Sequence, residues 1–266
     1  MFLFKAIVLA VVEGLTEFLP ISSTGHLILA ESVLSLSDKK CFNDAYIVLI
    51  QLPAILAVVV YFWNRLWPFT RDTEQRRLRF SLWFKVCVAF VPAAIAGLLF
   101  DDYIESKLLS ELPVAIALVF GGIAFIVLER LPLSHRFAHA EDIGWRTALG
   151  IGALQCLALF PGVSRSGASI LGAMILGASR PAAAEFSFFL AIPTMAGAWA
   201  LTVLKSGLTF TVTEWTALAV GSVVSFVVAY AVIAFLMRFV QQHRFTVFGY
   251  YRIILGGLVL VAQLMG

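Results

Sequence analysis

Six stretches of the chain, roughly residues 42–63, 82–100, 113–131, 182–204, 215–240 and 246–265, carry at most two charged side chains apiece. A bilayer-spanning helix needs about 20 predominantly apolar residues, and each stretch is of that order. The strands of a membrane barrel would instead be about 10 residues long with alternating polarity, a pattern these stretches lack. The hydropathy therefore predicts an all-α polytopic membrane protein with six transmembrane helices. Two further stretches, 1–41 and 147–181, are apolar at their ends but broken in the middle by glycine, proline and hydroxyl residues. The apolar run from Phe2 to Val12, interrupted by Lys5, has the length of a signal peptide. It lacks an A-x-A-like cleavage site and leads straight into polar sequence, so it is expected to be retained.

Composition agrees: 61% of the residues are hydrophobic and 13% charged, with a mean hydropathy of +0.95. Soluble domains are about half apolar and a quarter charged. The net charge of +3 includes no long basic stretch, so nothing suggests a nucleic-acid partner. Cys41, Cys87 and Cys156 have no metal-ligand spacing and read as small apolar packing residues.

Charge between the spans gives an orientation through the positive-inside rule. Segment 64–81 holds Arg65, Arg71, Arg76, Arg77 and Arg79, and is expected on the cytoplasmic side. Segment 101–112 holds Asp101, Asp102, Glu105 and Glu111 against Lys107, and fits the outside. Segments 130–146 (Arg130, Arg136, Arg146) and 238–246 (Arg238, Arg244) return to the cytoplasm, while 205–214 is nearly uncharged. The six spans then alternate if the 42–63 helix runs inward. Stretches 1–41 and 147–181 must each enter and leave on one side, as re-entrant helical hairpins. Broken backbone at membrane depth is tolerated only where protein encloses it.

The two broken stretches resemble one another. "EGLTEFLPISSTGH" from Glu13 aligns without gaps on "QCLALFPGVSRSGA" from Gln155, placing Leu15 opposite Leu157, Phe18 opposite Phe160, Ser22 opposite Ser164, Thr24 opposite Ser166 and Gly25 opposite Gly167. "QLPAILAVVVYFW" from Gln51 similarly resembles "AIPTMAGAWALTVL" from Ala191. This gives a single membrane domain built as an inverted-topology repeat. Repeat one covers about 1–131 (re-entrant 1–41, spans 42–63, 82–100 and 113–131). Repeat two covers about 147–266 (re-entrant 147–181, spans 182–204, 215–240 and 246–265). Inverted repeats with broken helices place their site where the breaks converge, so one polar pocket is expected between the two hairpin tips.

Glu13 and Glu17 share a helix face one turn apart. Two carboxylates that close in a low dielectric need a cation or a shared proton, which leaves a divalent-metal clamp or an acid/base pair. The run Ser22, Ser23, Thr24, Gly25 offers hydroxyls and backbone N–H groups ahead of a new helix, suited to phosphate oxygens or to N-capping. His26 is placed to act as base, acid or nucleophile. In the second hairpin, Arg165 sits between Ser164 and Ser166 and between Gly162 and Gly167; its guanidinium needs an anion, either a phosphate or Glu13 or Glu17. Together these groups point to phosphoryl chemistry on a lipid-linked substrate, with Mg²⁺ or Ca²⁺ bridging acids and phosphates.

"EGLTEFLPISSTGH" (13–26) and "PGVSRSGAS" (161–169) closely resemble the two signature motifs of the bacterial undecaprenyl-diphosphate phosphatases, the bacitracin-resistance family. The likeness extends over nearly the whole chain, including "FWNRL", "ASRPAAAEFSFFLAIP" and "YYR". The one departure is Ser169, where the family's motif has threonine, and it keeps the hydroxyl. The resemblance implies hydrolysis of C55 isoprenyl diphosphate to the monophosphate and inorganic phosphate, dependence on a divalent cation, an inner-membrane location and a site open to the periplasm. It implies a catalytic set of Glu13, Glu17, Ser22, Ser23, His26, Ser164 and Arg165. The expected roles are Glu13 and Glu17 on the cation, and Ser23 or a water attacking with His26 as base. Arg165, with Ser22, Thr24, Gly25, Ser164, Ser166, Gly167 and Ser169, is expected around the diphosphate. Arg252 is expected as a third phosphate contact or as a partner of a helix end, and Glu185 and Arg180 as structural groups. The rival reading is a polyprenyl-phosphate flippase with the same pocket, which would need phosphate binding but no proton-transfer groups. Oligomeric state is open, a homodimer included.

Overall fold

The computed structural model describes residues 1–34, 36, 40–108, 110–206 and 209–265. Six of its helices are long and apolar enough to cross a membrane: α3 (Lys40–Tyr61), α5 (Thr73–Leu108), α6 (Glu111–Arg130), α9 (Arg180–Ser206), α10 (Val212–Gln242) and α11 (Thr246–Met265), with the short α4 (Trp63–Leu66) between the first two. The protein is an all-α multi-pass membrane protein. Its six spanning helices coincide with the six apolar stretches, but α5 begins at Thr73, well ahead of the expected residue 82, and its backbone stays helical to Leu108. Hydropathy marks where apolar side chains end; the hydrogen-bond ladder continues through Arg76, Arg77 and Arg79, which are good helix formers. The side chains of Asp101, Asp102, Glu105 and Lys107 lie outside the described residues.

The two polar-centred stretches each fold as helix, break, helix. In the first, α1 (Phe2–Thr16) ends before Pro20 and α2 (Ser23–Leu34) resumes. In the second, α7 (Trp145–Gln155) passes through a 3₁₀ turn at Cys156–Leu159 and the Pro161–Gly162 turn before α8 (Arg165–Ile175). Proline keeps each first helix from continuing through the break by disfavouring helical backbone at the preceding residue, and Phe160 before Pro161 is extended. Gly162 adopts φ +92° and its missing Cβ lets the turn lie against Val114, where a methyl would stand 2.9 Å from the Cα. Among the described residues only two non-glycine positions have positive φ, Ser22 (72°) and Ser164 (76°). They are the two serines that the alignment sets opposite each other. Each caps the following helix in the same way, Gly25 N–H donating to Ser22 Oγ at 3.3 Å and Gly167 N–H to Ser164 Oγ at 3.1 Å.

Packing follows a matching exchange. α6 runs along α11 and α3 along α9; α1 packs on α10 where α7 packs on α5, and α3 packs on α10 where α9 packs on α5. This is compatible with two halves related by an inverted repeat. At one end, the arginine-bearing connections meet. Arg65 grips Glu141 (Nη2–Oε2 2.5 Å) and Glu185, and Lys85 donates to the Glu141 carbonyl at 2.7 Å. Burial works against the Arg65 charge, but the two carboxylates outweigh it and hold its pKa above the ordinary guanidinium value. Arg180 pairs with Glu129, which also accepts from the Phe245 N–H at 2.9 Å. Glu185 and Arg180 are thus each held in an ion pair at this end.

Candidate active site

The two breaks meet at a cavity of about 230 Å³. Glu17, Ser22, Ser23 and Thr24 line it from the first break and Ser164 and Arg165 from the second. Arg165 spans them: its Nη2 pairs with Glu17 Oε1 at 3.0 Å, its Nη1 donates to the Ser187 carbonyl at 3.3 Å, and its guanidinium lies over the Phe18 ring at 5.7 Å. Ser23 Oγ donates to the other Glu17 oxygen, Oε2. Glu17 is therefore shared between the hydroxyl of one tip and the cation of the other.

The remaining sequence-expected residues stand behind this surface. Ser166 is fully buried and donates to the Leu19 carbonyl at 3.0 Å, tying the second tip to the first break. Ser169 bonds Ser187 Oγ at 2.7 Å and anchors α8 to α9. Gly25 and Gly167 supply the amides that the two serine caps receive. Glu13 lies one turn before Glu17, fully buried, outside the cavity lining.

Both ring nitrogens of His26 have partners other than Ser23. Its Nδ1 lies 2.7 Å from the Ser22 carbonyl, which can only accept, so Nδ1 carries a proton. Its Nε2 lies 2.6 Å from the Tyr251 hydroxyl, and the two rings stack at 5.6 Å. The hydrogen-bond partners of His26 are thus Ser22 and Tyr251, while Ser23 Oγ donates to Glu17. Arg252, expected near phosphate or a helix end, is fully buried and, among the described residues, donates only to backbone carbonyls. It lines no part of the cavity.

Three polar residues that sequence reasoning did not assign to the site line it: Gln51, Gln155 and Thr194. The available signal was an uncharged amide inside apolar sequence, which is expensive in lipid; Gln155 even aligns with Glu13. Thr194 spends its one proton on the Leu190 carbonyl (2.8 Å) and so can only accept from Gln155 Nε2 (3.3 Å). That fixes the amide and leaves Gln155 Oε1 without a partner.

Buried polar atoms in folded proteins are nearly always hydrogen-bonded. Among the described residues, the buried side-chain atoms without a partner are both Glu13 oxygens, Gln155 Oε1 and Arg165 Nε. All belong to this one region, three acceptors and one cationic donor around the two breaks. Such a set calls for a ligand carrying both a cation or proton and an anion.

Spanning helices closed around a pocket of carboxylates, hydroxyls and arginine define a multi-pass membrane protein with a buried polar site of enzymic composition. A family model described as bacitracin resistance protein BacA matches residues 6–258, and the chain belongs to that family. Among its relatives, an undecaprenyl-diphosphatase of Enterococcus faecalis is 49% identical over 263 residues, covering 97% of this chain and 95% of the relative. Undecaprenyl-diphosphatase 1 of Clostridioides difficile (strain 630) is 48% identical, covering 97% and 95%. The undecaprenyl-diphosphatase of Fusobacterium nucleatum is 50% identical, covering 96% and 98%.

Proposed function

We propose that the protein is an undecaprenyl-diphosphatase, a hydrolase that cleaves the terminal phosphate from undecaprenyl diphosphate to give undecaprenyl phosphate and inorganic phosphate. The observation that carries this is that the partnerless buried side-chain atoms among the described residues belong to Gln155 and Arg165, which line one acid–hydroxyl–arginine cavity, and to Glu13, one helical turn from its Glu17, in a chain nearly half identical to proteins of that name. Glu17, bonded to Ser23 Oγ, is within reach to take its proton. Ser23 Oγ then bonds the terminal phosphorus as the bridging P–O bond breaks, undecaprenyl phosphate leaves, and water releases inorganic phosphate from the serine. Arg165, whose Nε still lacks a partner, holds the phosphate oxygens and stabilises the charge that builds on them.

The donor set also fits a divalent cation. Both Glu13 oxygens are buried without a partner, Glu17 is one turn away, and Gln51 and Ser23 add neutral oxygens of the kind that Mg²⁺ and Ca²⁺ take. Among the described residues no cluster of three or more acids, histidines or cysteines exists, so two carboxylates would hold the ion, with amide, hydroxyl and phosphate oxygens completing its shell. A bound cation would neutralise charge developing on the phosphates. The setting proposed is the bacterial inner membrane, with the cavity open to the periplasm, where recycling the lipid carrier would serve wall-polymer synthesis and confer bacitracin resistance. A homodimer is compatible with this setting. Phosphate release from C55 isoprenyl diphosphate by purified protein, with and without chelator, tests the reading: cation-dependent release is expected, and its absence would overturn it.

A further inference from the structure

Among the described residues Arg252 is the largest side chain that is fully buried, and it has no carboxylate partner there. A guanidinium has five N–H donors in a rigid plane, and Arg252 places them on five carbonyls. Nε donates to Leu118 (3.3 Å), Nη1 to Pro20 (3.2 Å) and Val163 (2.9 Å), and Nη2 to Ala117 (3.2 Å) and Gly162 (3.0 Å). Two of the acceptors lie in the middle of α6, one in the first break and two in the second. Those three break carbonyls are groups that the interrupted helices leave without their usual amide donors. Glycines make room for the fork: a Cβ at Gly121 would stand 2.7 Å from the Arg252 Cζ, and one at Gly167 would stand 3.2 Å from Nη1.

We infer that Arg252 is a positioning residue for phosphoryl transfer, setting the two breaks against one another through the carbonyls of Pro20, Gly162 and Val163 without touching substrate. No donor is left over for a phosphate oxygen. Ser22 and Ser23 follow Pro20 after a single residue, Ile21, and Ser164 and Arg165 follow Val163 directly, so the fork fixes the backbone from which the cavity-lining side chains project. Lysine cannot substitute: it keeps the charge, but its three donors on a flexible stem do not match five acceptors in one plane. The catalytic part of this inference rests on the phosphatase reading; the positioning part does not.

The test pairs amide hydrogen exchange with turnover on Arg252→Lys, Arg252→Met and Gly121→Ala, each purified in detergent and compared per folded, monodisperse molecule. Gly121→Ala keeps every Arg252 donor but pushes the guanidinium out of plane, so it reports on geometry even if Arg252→Met fails to fold. The expectation is that exchange at residues 21–25 and 163–167 accelerates by about tenfold or more in all three while α10 is unchanged. The kcat for phosphate release should fall by about tenfold to a hundredfold with KM within about threefold, because displacing reacting groups by about an ångström costs that much. Unchanged exchange at both breaks, or a kcat per folded molecule within about twofold of the parent in Gly121→Ala and Arg252→Lys, overturns the inference. If the parent protein releases no phosphate, the phosphatase reading fails while the exchange data still decide whether Arg252 sets the breaks.

Discussion

Ser164 allows backbone strain and helix capping to be separated by two substitutions at one atom's difference. Its φ of 76° with ψ of 120° lies where a side chain is disfavoured by about 1–2 kcal/mol, and its hydroxyl caps α8 through the Gly167 amide at 3.1 Å. Ser164→Ala keeps the strain and loses the cap, which costs about 1 kcal/mol. Ser164→Gly loses the cap for a few tenths, sheds the strain, and gives back about 0.5–1 kcal/mol in chain entropy. The glycine variant should therefore lie close to the parent in stability and the alanine variant about 1 kcal/mol below it, about a fivefold difference in unfolding equilibrium. Reversible unfolding in mixed micelles would measure the gap. Turnover should not follow stability, because both variants remove the same hydroxyl from the cavity and should lose activity equally. An alanine variant as stable as the glycine variant would refute the claim that this serine is held under strain.

Other expectations follow from single contacts. Glu13→Gln keeps the volume of the fully buried acid and removes its charge; protection of the protein against heat by added Mg²⁺ or Ca²⁺ should vanish along with most turnover, and retained protection would exclude Glu13 as a cation ligand. Tyr251→Phe preserves the ring stacked on His26 at 5.6 Å and removes the hydroxyl from Nε2, so modification of His26 by diethyl pyrocarbonate should accelerate; an unchanged rate would mean that the hydroxyl does not shield the ring nitrogen. Gln155→Leu removes an acceptor that has no partner and should leave stability equal or raise it by about 1 kcal/mol while lowering phosphate release. A stable variant with full turnover would take Gln155 out of the site.

The six spans were legible because a bilayer imposes a length on any helix that crosses it, and both breaks were legible because Pro20 and Pro161–Gly162 stand beside hydroxyl and glycine residues in the middle of otherwise apolar stretches. The charged half of the site was legible for the same economic reason in physical terms: Glu13, Glu17 and Arg165 are too unfavourable in lipid to be there idly. Gln51, Gln155 and Thr194 were not, since an uncharged polar group in a span is mild enough to pass for packing. The partners of His26 and Arg252 were not legible either. Tyr251 is 225 positions from His26, and backbone carbonyls, which every residue has, leave no mark in a sequence to show which arginine will collect them.

Pro53 in α3, Pro92 in α5 and Pro193 in α9 each deprive a carbonyl one turn earlier, at Leu49, Val88 and Phe189, of its amide. Each proline also stands within two residues of a cavity-lining position: Gln51, Ala93 and Thr194. The walls of the cavity are thus three helices with a missing rung at the same place, able to bend there without breaking further bonds. The breaks between them, pinned by Arg252, have no such freedom. Bending at those rungs would widen the cavity around an arriving diphosphate while the groups carried by the two breaks keep their spacing.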